Sequence, residues 1–168
     1  MKLLAHYFTL FTSCILLITL FSCHKKAKDV DLELYNLSKE TSGFTWYKNS
    51  DLLLTSAKDS HSDPKLRTRF NATAAINLTA DGAILNGQTF ANGALIVKEM
   101  YNKREKLKSY AIMYKDATNK NADSDGWVWA SLNEKGKVLV SSDLKGKDCA
   151  SCHSQSQNID RTLMNKYH

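Results

Sequence analysis

Residues 149–153 read Cys149-Ala150-Ser151-Cys152-His153, and no other feature restricts the fold of this chain as strongly. Two thiols three positions apart sit on one helical turn, and a histidine follows the second directly. In C-x-x-C-H the thiols can bond the two vinyl groups along one edge of a haem, while the adjacent imidazole reaches the iron from the proximal side. Cys149 and Cys152 are therefore read as the attachment points of one covalent haem c, and His153 as a ligand of its iron. A chain with this motif must fold around a haem-sized hollow. Two other uses of the spacing are weaker. A zinc site needs four ligands; the nearest fourth is His168, and adjacent Cys and His rarely share one tetrahedral ion. A thioredoxin-like redox pair opens a helix near the start of its domain, whereas only 15 residues follow His153 here.

The other end of the chain supports an exported protein, the setting in which covalent haem attachment occurs. Leu3 to Phe21 is an apolar run broken only by a few Thr, Ser, Cys and His residues, and it ends at Leu20-Phe21-Ser22-Cys23 before the polar His24-Lys25-Lys26. A branched apolar residue at −3, a small one at −1 and then Cys resemble the lipobox of bacterial lipoprotein signal peptides. That resemblance implies removal of residues 1–22, lipidation of Cys23, and anchorage in the bacterial cell envelope on the periplasmic side. The competing reading is an uncleaved anchor, because about 20 apolar residues can span a bilayer. All four cysteines are then assigned: Cys14 leaves with the leader, Cys23 takes lipid, and Cys149 and Cys152 remain. The mature chain loses only Lys2 among its charges, leaving 22 basic against 17 acidic residues, a net +5. No Lys/Arg block with interleaved aromatics points to nucleic acid.

Between the ends, residues 23–28 read as a tether and 29–168 as one domain. Asp29–Glu40 has Val30, Leu34 and Leu37 on one helical face, and Thr41-Ser42-Gly43 ends it. Phe44, Trp46 and Tyr47 lead into the core. Lys65–Phe70 alternates as a strand does, and the Ala-rich Asn71–Leu78 reads as a short helix closed by Asp81-Gly82. After the turn signal Asn92-Gly93 come the strand-like runs Ala94–Tyr101, Leu107–Lys115, Trp127–Leu132 and Lys137–Val140, the last two joined by a hairpin at Asn133–Gly136. Helix is expected around the two cysteines and again after Asn158. The fold class is α+β: a mainly antiparallel sheet of four to five strands with a few flanking helices, the haem motif lying at the C-terminal end.

This layout excludes the common cytochromes c. Class I members carry the motif near their start and take a distal Met from far downstream. Here the only downstream Met is Met164, 11 residues beyond His153. A helix of that length rises about 16 Å on the proximal side, so Met164 is read as core. Class II members are four-helix bundles, whereas the centre of this chain alternates at period two.

The chain resembles the cytochrome P-460 family and its relative cytochrome c′-β over roughly residues 60–168. The matching pieces are His61, Pro64 and Arg67 in a His-Ser-x-Pro-x-x-Arg pattern, then Phe70-Asn71 with an Ala-rich helix. Thr89-Phe90-Ala91-Asn92-Gly93-Ala94-Leu95-Ile96-Val97-Lys98-Glu99 follows, then Met113-Tyr114-Lys115, Asp125-Gly126-Trp127-Val128-Trp129, and finally C-x-x-C-H. The resemblance implies a mainly antiparallel β fold, often a homodimer, with one proximal His and an open or water-filled distal position. Cytochromes P-460 proper oxidise hydroxylamine and carry a Lys cross-linked to the haem. Cytochromes c′-β lack the link, have apolar distal residues and bind nitric oxide or carbon monoxide.

Lys98 is the candidate cross-linking and catalytic residue, sharing a strand face with Ala94, Ile96 and Met100. A lysine on an apolar face is costly without a partner; a haem edge is one such partner and an ion pair another. Lys58 and Lys115 are further candidates. No distal carboxylate is evident in Trp127–Leu132, which leaves Glu99 and Asp125. Trp127 and Trp129 are expected in the core or against the haem, and His61 is expected to make a structural hydrogen bond rather than a second axial bond. Three functions follow from these readings. The first is an oxidase of hydroxylamine or a similar small nitrogen species that passes electrons to a partner cytochrome. The second is a nitric oxide or carbon monoxide binder, and the third a six-coordinate electron carrier using Met113, Met100 or a lysine.

Overall fold

A computed structural model describes residues 27–57 and 61–167. Residues 1–22, read from the sequence as a signal peptide, and Cys23, Lys58 and His168 lie outside the described residues. Helix α1 spans Ala27–Leu37, so it begins two residues inside the expected tether and stops three short of Glu40. It is followed by β1 (Thr45–Trp46), β2 (Leu54–Thr55), β3 (Lys65–Phe70), α2 (Ala72–Ala75), β4 (Leu95–Tyr101), β5 (Leu107–Lys115), β6 (Trp127–Asn133), β7 (Val138–Val140) and α3 (Lys147–His153). The seven strands form one sheet in the order β1-β3-β4-β5-β6-β7, with β2 also paired to β3. Every pairing is antiparallel. The fold is therefore α+β with a mainly antiparallel sheet and a few helices. The five longer strands are those legible in the sequence; β1 and β2 add two residues each, too few to leave a periodic signal.

Both faces of the sheet are covered, which explains why β4 and β6 read as nearly continuous apolar runs. On one face, Val30 and Leu34 of α1 pack on Leu95, Val97, Ile112, Val128 and Leu132. Leu34 and Val97 are 2% and 0% exposed, and burying such a side chain contributes about 1.5–3 kcal/mol. On the other face, Phe70, Ile96, Met113, Trp127 and Trp129 meet Tyr47, Ala74, Phe90 and the C-terminal residues Ile159 and Met164. Asn71 starts α2 by accepting a bond from the Ala74 N–H at 2.9 Å.

A charged cluster lies on the α1 side. Arg69 is fully buried, and Glu99 is 4% exposed. Glu99 pairs with Arg69, with the Arg67 Nε at 2.6 Å and with the Tyr101 hydroxyl at 2.6 Å. Arg69 also donates to the carbonyls of Ser38 and Glu40, holding the end of α1. Burial alone would raise the Glu99 carboxyl, but the hydrogen bonds from Tyr101 and Arg67 and the two guanidinium charges hold it below the usual range.

The expected helix after Asn158 does not form. Ile159 and Thr162 instead make an isolated antiparallel bridge, and Asp160 and Arg161 have φ of 44° and 68°. The sheet holds this turn through Asp160, whose carboxylate accepts from the Phe90 N–H at 2.8 Å, the Lys115 Nζ at 2.9 Å and the Trp127 Nε1 at 3.1 Å. Those three partners outweigh the local helical preference of the segment. Among the described residues no helix is long and apolar enough to cross a membrane.

Candidate functional site

Helix α3 is placed by a close approach of backbone to ring. Gly146, its N-cap, has φ of 72°, and a Cβ there would lie 2.5 Å from the Cδ1 of Trp129. Only glycine accepts both conditions. Trp129 is fixed in turn by its Nε1–H donating to Asp123 at 2.8 Å. The indole then packs edge-to-face on the His153 ring, with centroids 4.8 Å apart. His153 Nδ1 lies 2.6 Å from the Arg161 carbonyl oxygen. A carbonyl only accepts, so Nδ1 carries the proton and Nε2 keeps the lone pair that binds a metal. The turn anchored by Asp160 thus sets the tautomer of the motif histidine.

Cys149, Cys152 and His153 form one wall of a cavity of about 350 Å³. The opposite wall is the sheet. The register aligns Thr68 with Lys98, Lys98 with Ala111, and Ala111 with Ser131, and all four line the cavity. Ile96, Met113 and Trp129 form the next row, and Leu163, Met164 and Tyr167 close one side. The lining is mostly apolar with a few convergent polar groups, as in cofactor pockets. One of those groups, the Thr68 hydroxyl, is buried without a hydrogen-bond partner among the described residues, which marks a place built to face something other than protein. Two thiols, an imidazole with a free Nε2 and an apolar hollow fit a haem.

The electrostatics of the cavity favour neutral groups. Burial brings the Lys98 amine down to about 8, against a smaller opposing effect of the Cys152 thiol. His61 is held down to about 3, first by burial and then by the charges of Lys98 and His153. His153 is lowered chiefly by burial, against the Arg161 carbonyl bond that favours its proton. His61 is therefore neutral at pH 7 and His153 is biased toward its neutral form, the form that binds metals. Burial, then Asp148, pushes the Cys149 thiol up.

The residues proposed from sequence divide clearly. Cys149, Cys152, His153 and Lys98 meet at one cavity, and Lys98 has no ion pair among the described residues. Lys115 is elsewhere, paired with Asp160. Neither proposed carboxylate reaches the cavity: Glu99 points to the other face among its arginines, and Asp125 pairs with Arg161. Met164 is core at 5% exposure and Met113 lines the cavity, whereas Met100 does not. His61 lines the cavity too, its ring centroid 6.5 Å from that of His153. Thr68, Ala111, Ser131 and Asp160 were not singled out in the sequence. The first three join the site through strand register and Asp160 through a turn, and neither leaves a local pattern.

No curated protein matches the chain. The family model described as Cytochrome P460 matches residues 45–163, which takes in the whole sheet, Lys98 and the C-x-x-C-H helix. With well over half of its length matched, and with a cavity that fits a haem at the centre of the match, the chain belongs to the cytochrome P460 family.

Proposed function

We propose that this protein is a c-type haem protein that oxidises hydroxylamine or a similar small nitrogen species and passes the electrons to a partner cytochrome. In this reading one haem is joined to Cys149 and Cys152 with His153 as proximal ligand. The observation that carries the proposal is the Lys98 amine, which lines the same cavity as the motif and is brought by burial to about 8. An amine in that range has a substantial neutral, nucleophilic fraction near physiological pH. It is therefore suited either to bond a macrocycle edge, with a peroxide-class oxidant taking up the two electrons and two protons released, or to exchange protons with a substrate. The haem, when bound, supplies one-electron chemistry and an axial position for a small ligand. The Thr68 hydroxyl lines the same cavity without a protein partner among the described residues.

A second reading, a binder of nitric oxide or carbon monoxide, has its own support. The sheet wall beside Lys98 is Thr68, Ala111 and Ser131, with no carboxylate to take protons from a substrate; the one carboxylate on the cavity lining, Asp148, comes from α3 beside the cysteines. Lys98→Leu separates the two. The oxidase reading expects a shifted Soret band and loss of hydroxylamine turnover. An unchanged spectrum with carbon monoxide still bound assigns the protein to gas binding. Failure of the ferrous protein to bind carbon monoxide overturns both.

The cell-envelope location belongs to the same proposal. Cys23 carries the lipid, and the haem domain lies on the periplasmic side where covalent haem attachment takes place. Cys23→Ala should release the protein from membranes with its optical spectrum unchanged. A variant that remains membrane-bound would show that residues 3–21 act as an uncleaved anchor.

A further inference from the structure

Two imidazoles line the haem cavity, and the proposed function uses only one. The rings of His61 and His153 are 6.5 Å apart between centroids, with an interplanar angle of 63°. The pair lies within the range of edge-to-face rings but is looser than the contact His153 makes with Trp129, whose centroids are 4.8 Å apart. The gap between the two histidines is wider by 1.7 Å, close to the outer limit of about 7 Å for interacting rings. A metal–imidazole bond is about 2.0–2.1 Å, and a ring nitrogen sits about 1.1 Å from its ring centre, so two imidazoles sharing one ion place their centres roughly 6.3 Å apart. The observed separation matches that value.

Other features agree. Nδ1 of His153 is committed to the Arg161 carbonyl, which leaves Nε2 for a metal. The His61 ring has no hydrogen-bonding side chain among the described residues, although it is largely enclosed. Its backbone is held independently: the His61 carbonyl accepts from the Ser56 hydroxyl at 3.1 Å, and the Ser56 N–H donates to the Pro64 carbonyl at 2.9 Å. The carbonyls of His61 and Pro64 are thus both tied to Ser56. The structural hydrogen bond expected of the His61 side chain is not seen among the described residues, and the imidazole is left for the cavity. Among the described residues, no group of three or more His, Cys, Asp or Glu is placed to hold a bare metal ion, so this pair suits an ion whose other ligands come from elsewhere, as the four nitrogens of a haem do.

We propose that His61 is the second axial ligand of the haem iron in the resting protein, facing His153 across the ring, and that an incoming ligand must displace it. The inference rests on the haem site proposed above and changes its distal side from open to gated. The test uses the full-length, haem-loaded protein. Its ferric optical and electron paramagnetic resonance spectra should be low-spin. His61→Ala should turn them high-spin and raise the carbon monoxide association rate of the ferrous form at least tenfold, and added free imidazole should restore the low-spin signal. A high-spin wild-type protein would overturn the inference without any variant being needed. A low-spin signal that survives His61→Ala would also overturn it and move the sixth bond to another ligating side chain on the cavity wall, such as Met113, Met164 or Lys98. If no haem is attached to the chain at all, the underlying reading fails instead, and haem staining of the denatured polypeptide shows this separately.

Discussion

Replacing both Cys149 and Cys152 with alanine should abolish haem staining of the polypeptide after denaturing electrophoresis, while the wild-type chain stains strongly. Thioether bonds survive denaturation and acid–acetone extraction, whereas a haem held only by axial ligation is stripped. The same double variant should be far less stable to denaturant. The cavity of about 350 Å³ lies against the larger apolar cluster of the domain, among Ile96, Met113, Trp129 and Met164. Without its occupant, this core loses contacts on every side, and large cavities in a core cost several kcal/mol. Full retention of haem in the double variant would contradict the attachment assigned to these cysteines.

The second large effect lies on the other face of the sheet and has no connection with haem. Glu99→Leu should destabilise the domain by about 3–5 kcal/mol, because it leaves the fully buried Arg69 without its counter-charge and removes the partner of Arg67 and Tyr101. Domains of this size are stable by only about 5–15 kcal/mol, so the loss should appear as a large fall in the denaturant midpoint of the haem-loaded protein. A change below about 1 kcal/mol would mean that Arg69 recovers sufficient solvation through the carbonyls of Ser38 and Glu40 and the rings of Phe44 and Trp46. The sign of this effect also separates Glu99 from Lys98: they are neighbours in sequence, but one anchors α1 and the other faces the cofactor cavity.

That separation shows what a single sequence reveals here. Alternation along Leu95–Tyr101 placed Lys98 with Ile96 and opposite Glu99, because side chains on a strand reverse faces at every residue. The C-x-x-C-H spacing placed the two attachment thiols and the iron-ligating imidazole on one helical turn. Both are local patterns. Strand register is not local, so Thr68, Ala111 and Ser131 could be joined to Lys98 only in three dimensions. The turn after Asn158 was misjudged as helix for the same reason: Asp160 is held by Phe90, Lys115 and Trp127, residues 33 to 70 positions away. His61 stands out in the sequence only through the His-Ser-x-Pro-x-x-Arg pattern, and its place on the cavity wall 6.5 Å from His153 emerges only in three dimensions.

The central claim is one haem bound through two thioethers at the cavity formed by α3 and the sheet. The pyridine haemochrome spectrum of the purified protein tests it most directly, because the position of the α band depends on how many vinyl groups remain unsaturated. The account predicts the band of a haem with both vinyls saturated, in an amount equal to one haem per chain. A band at the position of unmodified haem b, or one marking a single remaining vinyl, would contradict it.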